Sequence, residues 1–249
     1  MQELYGTFKL SPPLKRFPVY HALTGLMLFF FAVQMNGQVC SSTPPNMLTG
    51  GGFEVCPVPP GETRNAAFNV GSGCDPNWEA ANGTPSICNS VNAFSTNGTV
   101  SVNAFEGENF ACISNRLVAG AVCPETEVFF KGVNLCIGTR YRLEFHYTSL
   151  TLFGGGIITA ALSNGLTNVP PSSVVPCFSP PQQIIASESV EDDDIIGEWH
   201  SASVEFVHSI AANNQLVFWG TGRGTFFNLG IDAVSLTCVE SPIFPQFST

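Results

Sequence analysis

The segment Arg140-Tyr-Arg-Leu-Glu-Phe-His-Tyr147 alternates between polar and apolar side chains over its whole length. Tyr141, Leu143, Phe145 and Tyr147 occupy every second position. Successive side chains of a β-strand point to opposite faces, so this pattern puts one row in a core and the other toward solvent. The segment therefore predicts a half-buried strand.

The rest of the chain favours more strands of the same kind. It is rich in Gly, Pro, Phe, Val, Ser, Thr and Asn, and no long stretch has the 3.6-residue apolar period of a helix. We expect further strands at Gly98–Ala104, Phe110–Leu117, Gly156–Leu162, Ser201–Val207, Gln215–Trp219 and Ile231–Cys238. Seven or eight strands of this length predict an all-β fold, a two-sheet antiparallel β-sandwich of the jelly-roll type.

The order of segments predicts a signal peptide followed by one domain. Lys9, Lys15 and Arg16 precede an apolar run, Ala22–Val33, which is shorter than the about 20 residues that span a bilayer. We expect cleavage after residue 37, a single domain over 38–249 and no membrane insertion afterwards. Within that domain, about 163–197 is predicted to be one long loop, Pro-rich and then acidic. The protein is thus expected to be secreted, whether extracellular, at the cell surface or periplasmic.

The charge of the chain limits its partners. The formal net charge is −10, and without residues 1–37, which carry three basic and one acidic side chain, it becomes −12. Nucleic acids and anionic membranes bind clustered Lys and Arg, so this chain is not expected to bind either. Acidic loop residues are instead the oxygen ligands that calcium prefers.

The nine cysteines all follow residue 37 and lack the paired spacing of zinc sites. Disulfides in an oxidising compartment are the expected use, with one thiol left over. Their connectivity stays open, because the sequence allows many pairings.

Several motifs in register resemble those of galactose-binding-domain-like jelly rolls, which include many carbohydrate-binding modules of secreted bacterial proteins. They are Gly50-Gly-Gly-Phe-Glu54 with Cys56-Pro57, Trp78 with Gly83-Thr-Pro85, Gly138–Phe145, and Trp199 with Val204-Glu-Phe206 followed by Ile231-Asp-Ala-Val-Ser-Leu236. The resemblance covers nearly the whole chain after the signal. It implies that the first and last strands are neighbours.

The resemblance also implies a structural calcium ion and a disulfide between the chain ends. The matching calcium ligands are Glu54 and Asp232, with backbone carbonyls near Gly50 and Gly51. The alternative is that both carboxylates make only local hydrogen bonds at strand ends. Cys40 and Cys238 flank the first and last strands of such a sandwich and are therefore candidates for one disulfide.

Aromatic side chains are the candidate sugar-binding residues, because a ring face packs on the apolar face of a pyranose while polar neighbours bind its hydroxyls. Trp78, Phe226 and Phe227 lie in predicted loops and are taken as the ligand-binding residues, with packing under a loop as the alternative. Trp199 and Trp219 adjoin predicted strands and are expected to be core residues.

Catalysis is not expected. One retaining jelly-roll glycosidase family carries Glu-x-Asp-x-x-Glu, and the acidic run Glu191–Asp194 lacks the second Glu, since Ile196 stands in its place. His146, His200 and His208 read as surface or edge histidines. The sequence thus favours a non-catalytic secreted module that binds extracellular or cell-surface carbohydrate with a structural calcium. The alternatives are an adhesion or matrix protein with a protein partner and, third, a glycoside hydrolase.

Overall fold

The fold is described from a computed structural model. The description covers residues 46–56, 58, 64–65, 68–70, 77–89, 102–116, 123, 125–151, 155–171, 177–178, 182–191, 195–222 and 226–240. All of these belong to the compact unit Val39–Thr249. This part of the chain contains no helix long and apolar enough to cross a membrane.

The described residues form two antiparallel sheets. The strands in chain order are β1 (Arg64–Asn65), β2 (Glu79–Asn82), β3 (Ser86–Asn89), β4 (Asn109–Arg116), β5 (Glu125–Thr126), β6 (Val128–Gly132), β7 (Arg140–Ser149), β8 (Gly156–Ser163), β9 (Gln182–Val190), β10 (His200–Val207), β11 (Gln215–Gly222) and β12 (Phe226–Glu240). Sheet 1 has the order β1-β3-β4-β12-β7-β10, with β5 paired to β4, and sheet 2 has the order β2-β6-β11-β8-β9. The predicted all-β, two-sheet architecture is confirmed.

The alternation that predicts β7 is observed in its burial. Tyr141, Leu143 and Phe145 are at most 1% exposed, whereas the intervening side chains reach the surface. β7 lies between β10 and β12 in sheet 1, so its outer row faces side chains of both neighbours.

The core between the sheets is rich in aromatic rings. Four of these side chains are at most 1% exposed: Phe53, Trp78, Phe129 and Phe218. Trp78 and Phe129 contact each other and the other two rings, with centroid distances of 5.2–6.1 Å. Burying one such side chain contributes about 1.5–3 kcal/mol. Phe53 belongs to the segment 46–56, Trp78 precedes β2, and Phe129 and Phe218 lie in β6 and β11, so the core joins the segment 46–56 to sheet 2.

A second apolar cluster lies on the outer face of sheet 2. Trp219 and Phe130 belong to it, and Leu166 and Phe178 pack against them from the segment that follows β8. A disulfide between Cys123 and Cys177 anchors that segment next to Phe178. Trp219 is therefore buried, at 8% exposed, but outside the inter-sheet core.

The prediction of one long loop over about 163–197 is wrong for the middle of this range, because Gln182–Val190 forms β9 at the edge of sheet 2. The flanking prolines and acidic residues concealed this strand, since both kinds of residue favour loops. The predicted strand Gly98–Ala104 is also wrong where it is described, because residues 102–104 are not in a strand.

The segment 46–56 lies beside β12, as predicted, although it forms turns and bends rather than an opening strand. The Met47 N–H donates to the Leu236 carbonyl at 2.7 Å, and the Val234 N–H donates to the Gly51 carbonyl at 3.0 Å. Three glycines in a row provide too few side chains for a regular strand, and Phe53 has a positive φ of 56°. The start of the domain therefore docks on β12 through a few separate hydrogen bonds.

Two disulfides join described residues, Cys88–Cys112 and Cys123–Cys177. Cys56 and Cys238 are also disulfide-bonded. The predicted partner of Cys238, Cys40, lies outside the described residues, so that pairing stays a prediction. The predicted use of cysteines in disulfides is confirmed for these six residues, and the single thiol left over stays a prediction.

Replacing Gly51 by Ala is expected to destabilise the protein. A Cβ at Gly51 would overlap the Val234 carbonyl oxygen, so the docked segment would have to move off β12. We expect a loss of about 1–3 kcal/mol, or roughly 2–10 °C in Tm. Gly52→Ala is the matched control, because nothing lies within 4 Å of its Cβ. Equal melting temperatures of the two variants in calorimetry would contradict the docking.

Candidate functional site

A short loop, Phe105-Glu-Gly-Glu-Asn109, covers part of the outer face of sheet 1, and we call it the Phe105 loop. Its backbone is held by Glu54, whose Oε1 accepts the N–H groups of Glu108 and Asn109, each at 2.9 Å. Glu54 Oε2 accepts the Asn109 Nδ2 at 2.9 Å. One carboxylate from the start of the domain thus fixes the end of the loop.

Gly107 allows this close approach. It has a positive φ of 72°, and a Cβ there would overlap the Glu54 carboxylate. Glycine meets both requirements at once, because it adopts positive φ without strain and leaves room for the carboxylate.

Asp232 holds the other end of the Phe105 loop. It lies opposite His146 at the point where β12 has a bulge, with Ala233 at φ 49°. Asp232 Oδ2 accepts the Glu106 N–H at 3.0 Å, and its Oδ1 accepts the Ala233 N–H at 2.7 Å. The bulge ends the regular pairing and leaves this carboxylate facing the loop.

Asp232 is fully buried, and its ionised form is therefore electrostatically unfavourable. Desolvation by burial raises its pKa to about 7, and the nearby charge of Glu54 adds to the rise. The N–H groups of Glu106, Ala233 and Phe105 oppose the shift but do not cancel it. A buried carboxylate of this kind is stabilised either by a proton or by a cation.

The first residue of the loop carries an exposed ring. Phe105 is 46% exposed and stacks flat on His146, with ring centroids 3.4 Å apart and an interplanar angle of 12°. Trp199 meets Phe105 edge-on at 6.2 Å and Phe110 at 5.6 Å. Since His146 covers one face of the Phe105 ring, the opposite face is the one turned to solvent.

The supporting rings are themselves held by hydrogen bonds. Trp199 Nε1 donates to the Asn103 carbonyl at 2.8 Å, and His146 Nδ1 lies 2.9 Å from Ser201 Oγ. Desolvation lowers the pKa of His146, so its ring is neutral at pH 7. Hydrogen bonds therefore hold both rings that contact Phe105, which are the indole of Trp199 and the neutral imidazole of His146.

Polar side chains continue from this stack along β7 and β10. Ser203 Oγ donates to Glu144 Oε1 at 3.2 Å, and Arg142 Nη2 forms an ion pair with Glu205 Oε1 at 2.6 Å. These side chains are partly or fully exposed. An exposed ring next to a row of donors and acceptors is an arrangement that binds amphipathic ligands.

The ligand-binding residues predicted from the sequence do not form this surface. Trp78 and Phe227 are each 1% exposed, and Trp78 Nε1 donates to the Gly50 carbonyl at 3.1 Å inside the core. Both predictions are wrong. Trp78 is buried by segments distant in the chain, and Phe227 lies in β12 rather than in a loop. The side chain of Phe226 lies outside the described residues. Trp199, predicted as core, is instead half-buried under Phe105.

The two predicted metal ligands are brought together around one loop. Among the described residues no group of three or more His, Cys, Asp or Glu side chains has the arrangement of a metal site. The predicted alternative, local hydrogen bonds, is observed for both Glu54 and Asp232. Of the carbonyls predicted as further ligands, that of Gly50 accepts the N–H groups of Phe53 and Trp78, whereas that of Gly51 accepts the Val234 N–H and has a second lone pair.

Of the histidines predicted at the surface, His146 and His200 are partly exposed, whereas His208 is not. His208, predicted at the surface, is 1% exposed, and its Nε2 lies 2.8 Å from the Ile210 carbonyl. Glu191 is exposed, and residues 192–194 of the acidic run lie outside the described residues. The sequence missed Phe105, whose signal is the Phe-Glu-Gly-Glu pattern of an aromatic residue entering a glycine turn.

Solved structures of similar fold include an enzyme and sugar-binding modules. A Stig cyclase from Fischerella sp. TAU, in complex with an indole compound, aligns with 80% of this chain and 100% of its own, at a TM-score of 0.51 and 12% identity. A tandem of CBM22 domains from Paenibacillus barcinonensis Xyn10C aligns with 84% of this chain and 49% of its own, at a TM-score of 0.43 and 11% identity. The CBM22-1 xylan-binding domain of the same protein gives a TM-score of 0.37 and 12% identity, over 72% of this chain and 94% of that domain.

No known protein family matches the chain, and no curated protein matches it significantly. The structural likeness at this low identity concerns the fold, which agrees with the β-sandwich predicted from the motifs.

The raised pKa of Asp232 predicts a pH dependence of stability in a chelator. A folded-state pKa near 7 lies above the unfolded value of 3.8, so the folded protein holds the proton more tightly. Protonation of Asp232 therefore contributes to the free energy of unfolding. The contribution is complete below about pH 4 and is lost as the pH rises to about 7, with a slope approaching about 1.4 kcal/mol per pH unit.

Asp232→Asn should abolish that slope between pH 4 and 7, whatever its effect on stability at a single pH. Urea unfolding at several pH values in EDTA measures it. An unchanged slope in the variant would contradict the assignment to Asp232.

Proposed function

We propose that this protein is a secreted, non-catalytic module that binds extracellular or cell-surface carbohydrate, and that calcium at Glu54 and Asp232 is structural. The observation that carries the proposal is the exposed, flat ring of Phe105, backed by His146 and Trp199. We place the sugar on the free face of this ring and call the three residues the Phe105 surface.

The chemistry of the Phe105 surface suits a pyranose. The free ring face offers an apolar platform of the kind that packs on the C–H face of a sugar. Ser201, Ser203 and Glu144 stand beside it on β10 and β7, within a sheet face that offers hydrogen-bond donors and acceptors to the hydroxyls. The ring is held before the ligand arrives, which reduces the ordering cost of binding.

Disulfide bonding supports secretion. Cys88–Cys112 and Cys123–Cys177 pair within the described part of the domain, and such bridges persist mainly in oxidising compartments. The expected route is the signal segment over residues 1–37.

The electrostatics of the two carboxylates support a cation. The charge of Glu54 adds to the desolvation that raises the pKa of Asp232, which is fully buried. Calcium takes about six to eight hard oxygen ligands, so these carboxylates would supply only part of its shell, with backbone carbonyls or water supplying the rest. Bound there, calcium would supply positive charge that keeps Asp232 ionised. The chain's own contribution is to hold the Phe105 loop by hydrogen bonds to the same two side chains.

The proposal of a non-catalytic role rests on the accessibility of the carboxylates. A glycosidase needs two carboxyl groups that reach the scissile bond from opposite sides. Asp232 is 0% exposed, and both oxygens of Glu54 accept N–H groups of the Phe105 loop. These two side chains are therefore assigned to structure.

Replacing Phe105 by Ala is expected to reduce oligosaccharide affinity by about tenfold to a hundredfold, because stacking on the free ring face is lost. Isothermal titration with glycans that an array identifies measures the effect. Ile184→Ala is the matched control, since Ile184 is 57% exposed at the edge of sheet 2. A glycan that binds equally well to the Phe105 variant would contradict the location, and release of reducing ends would contradict the non-catalytic role.

Calcium is expected to raise Tm, and EDTA to lower it. A ligand at one hundred times its Kd contributes about 2.7 kcal/mol to the free energy of unfolding. Glu54→Gln and Asp232→Asn should each remove most of this calcium-dependent shift. Glu188→Gln, on β9 in the other sheet, should keep it. Calorimetry that finds the same melting temperature with calcium and with EDTA would contradict calcium binding.

A further inference from the structure

Two carboxylates lie close to the stacked rings of Phe105 and His146. Glu106 follows Phe105 and is exposed, and Glu144 lies two residues before His146 on the same face of β7. Both are close enough to favour the protonated form of His146, against the effect of desolvation on its pKa. The negative charge therefore lies immediately around the ring stack.

The cations on this sheet face do not neutralise that charge fully. Arg142 forms an ion pair with Glu205 at 2.6 Å and is also attracted by the charge of Glu144. Arg140 forms an ion pair with Glu240 at 3.6 Å. Among the described residues, the ion pairs on the outer face of sheet 1 thus use acidic partners on β10 and β12. The net charge of the chain, −10, has the same sign as the local charge.

We propose that the ligand of the Phe105 surface is a glycan with protonated primary amines, of the glucosamine type, rather than an acetylated or uronic acid glycan. This inference rests on the proposed function. The sugar ring stacks on Phe105, and an ammonium group at the ring edge lies near Glu106 or Glu144. Uronic acids are repelled by both carboxylates.

Charge and stacking act together in this arrangement. An ammonium next to an aromatic face gains a cation–π attraction in addition to its attraction to the carboxylates. The carboxylates are at the surface, so the charge contribution weakens as salt rises. Acetylation removes the positive charge and leaves the stacking face of the sugar almost unchanged. The acetylated sugar therefore separates the two contributions.

The experiment compares glucosamine oligomers with N-acetylglucosamine, glucose and glucuronic acid oligomers of the same length by isothermal titration. For the wild type we expect the amino oligomer to bind about tenfold more tightly than the acetylated one, as two exposed charge pairs would give. The preference should shrink in 0.5 M NaCl.

A charge-matched pair of double variants isolates the cause. Glu106→Gln with Glu144→Gln should bring the ratio of the two dissociation constants, acetylated over amino oligomer, down to about one, whatever the variant does to the binding of both oligomers. Glu79→Gln with Glu188→Gln, on β2 and β9 of sheet 2, changes the net charge equally and should keep the preference. Equal loss in both double variants would show a general charge effect and overturn the inference.

The outcomes also separate this inference from the proposed function. Phe105-dependent binding of acetylated oligomers without a preference for amines would overturn the inference alone. Absence of Phe105-dependent binding for every oligosaccharide would overturn the proposed function. An amine preference that survives Glu106→Gln with Glu144→Gln would place the ammonium group elsewhere.

Discussion

Two carboxylates hold the Phe105 loop to sheet 1. Glu54, from the docked segment at the start of the domain, and Asp232, from the bulge of β12, accept the backbone N–H groups of residues 106, 108 and 109. Hydrogen bonds to charged groups contribute about 1.5–3 kcal/mol each, more than neutral ones. The segment 46–56, β12 and this loop are therefore joined at one place.

The position of the exposed ring follows from that junction. Phe105 is adjacent to Glu106, whose N–H is bound to Asp232, and Asp232 lies opposite His146 in the sheet. The same pairing that buries Asp232 thus brings the ring onto the imidazole. The junction has an electrostatic cost, because a fully buried carboxylate near a second one is disfavoured in its ionised form. A site of this kind responds to protons or to a cation while it fixes a surface for a ligand.

The sequence predicts those parts of the fold whose pattern is local. β7 and β10 have one buried face each, so alternation identifies them, and Ile231–Cys238 lies within β12. β6 was missed because both of its faces are covered, the outer one by Leu166 and Phe178, and its apolar run Val128-Phe-Phe130 does not alternate. β9 was missed because prolines and acidic residues flank it.

The site shows the same limit. Glu54 and Asp232 were identified together, because both stand in motifs at the two ends of the domain. Trp78 is predicted to bind ligand and Phe105 is missed, since burial of an aromatic side chain outside the strands depends on segments far away in the chain. Trp78 is enclosed by Phe53, Phe129 and Phe218, whereas the ring contacts of Phe105 with other described residues are those to His146 and Trp199. No local pattern contains that information.

Chemical-shift mapping tests the central claim most directly, which is that the ligand binds on the ring that this junction holds in place. The account predicts that glucosamine oligomers shift amide signals of residues 105–109, the Trp199 indole N–H and the His146 ring in ¹⁵N-labelled protein. Signals around Trp219, on the outer face of sheet 2, should stay in place. Shifts confined to the Trp219 face would contradict the account.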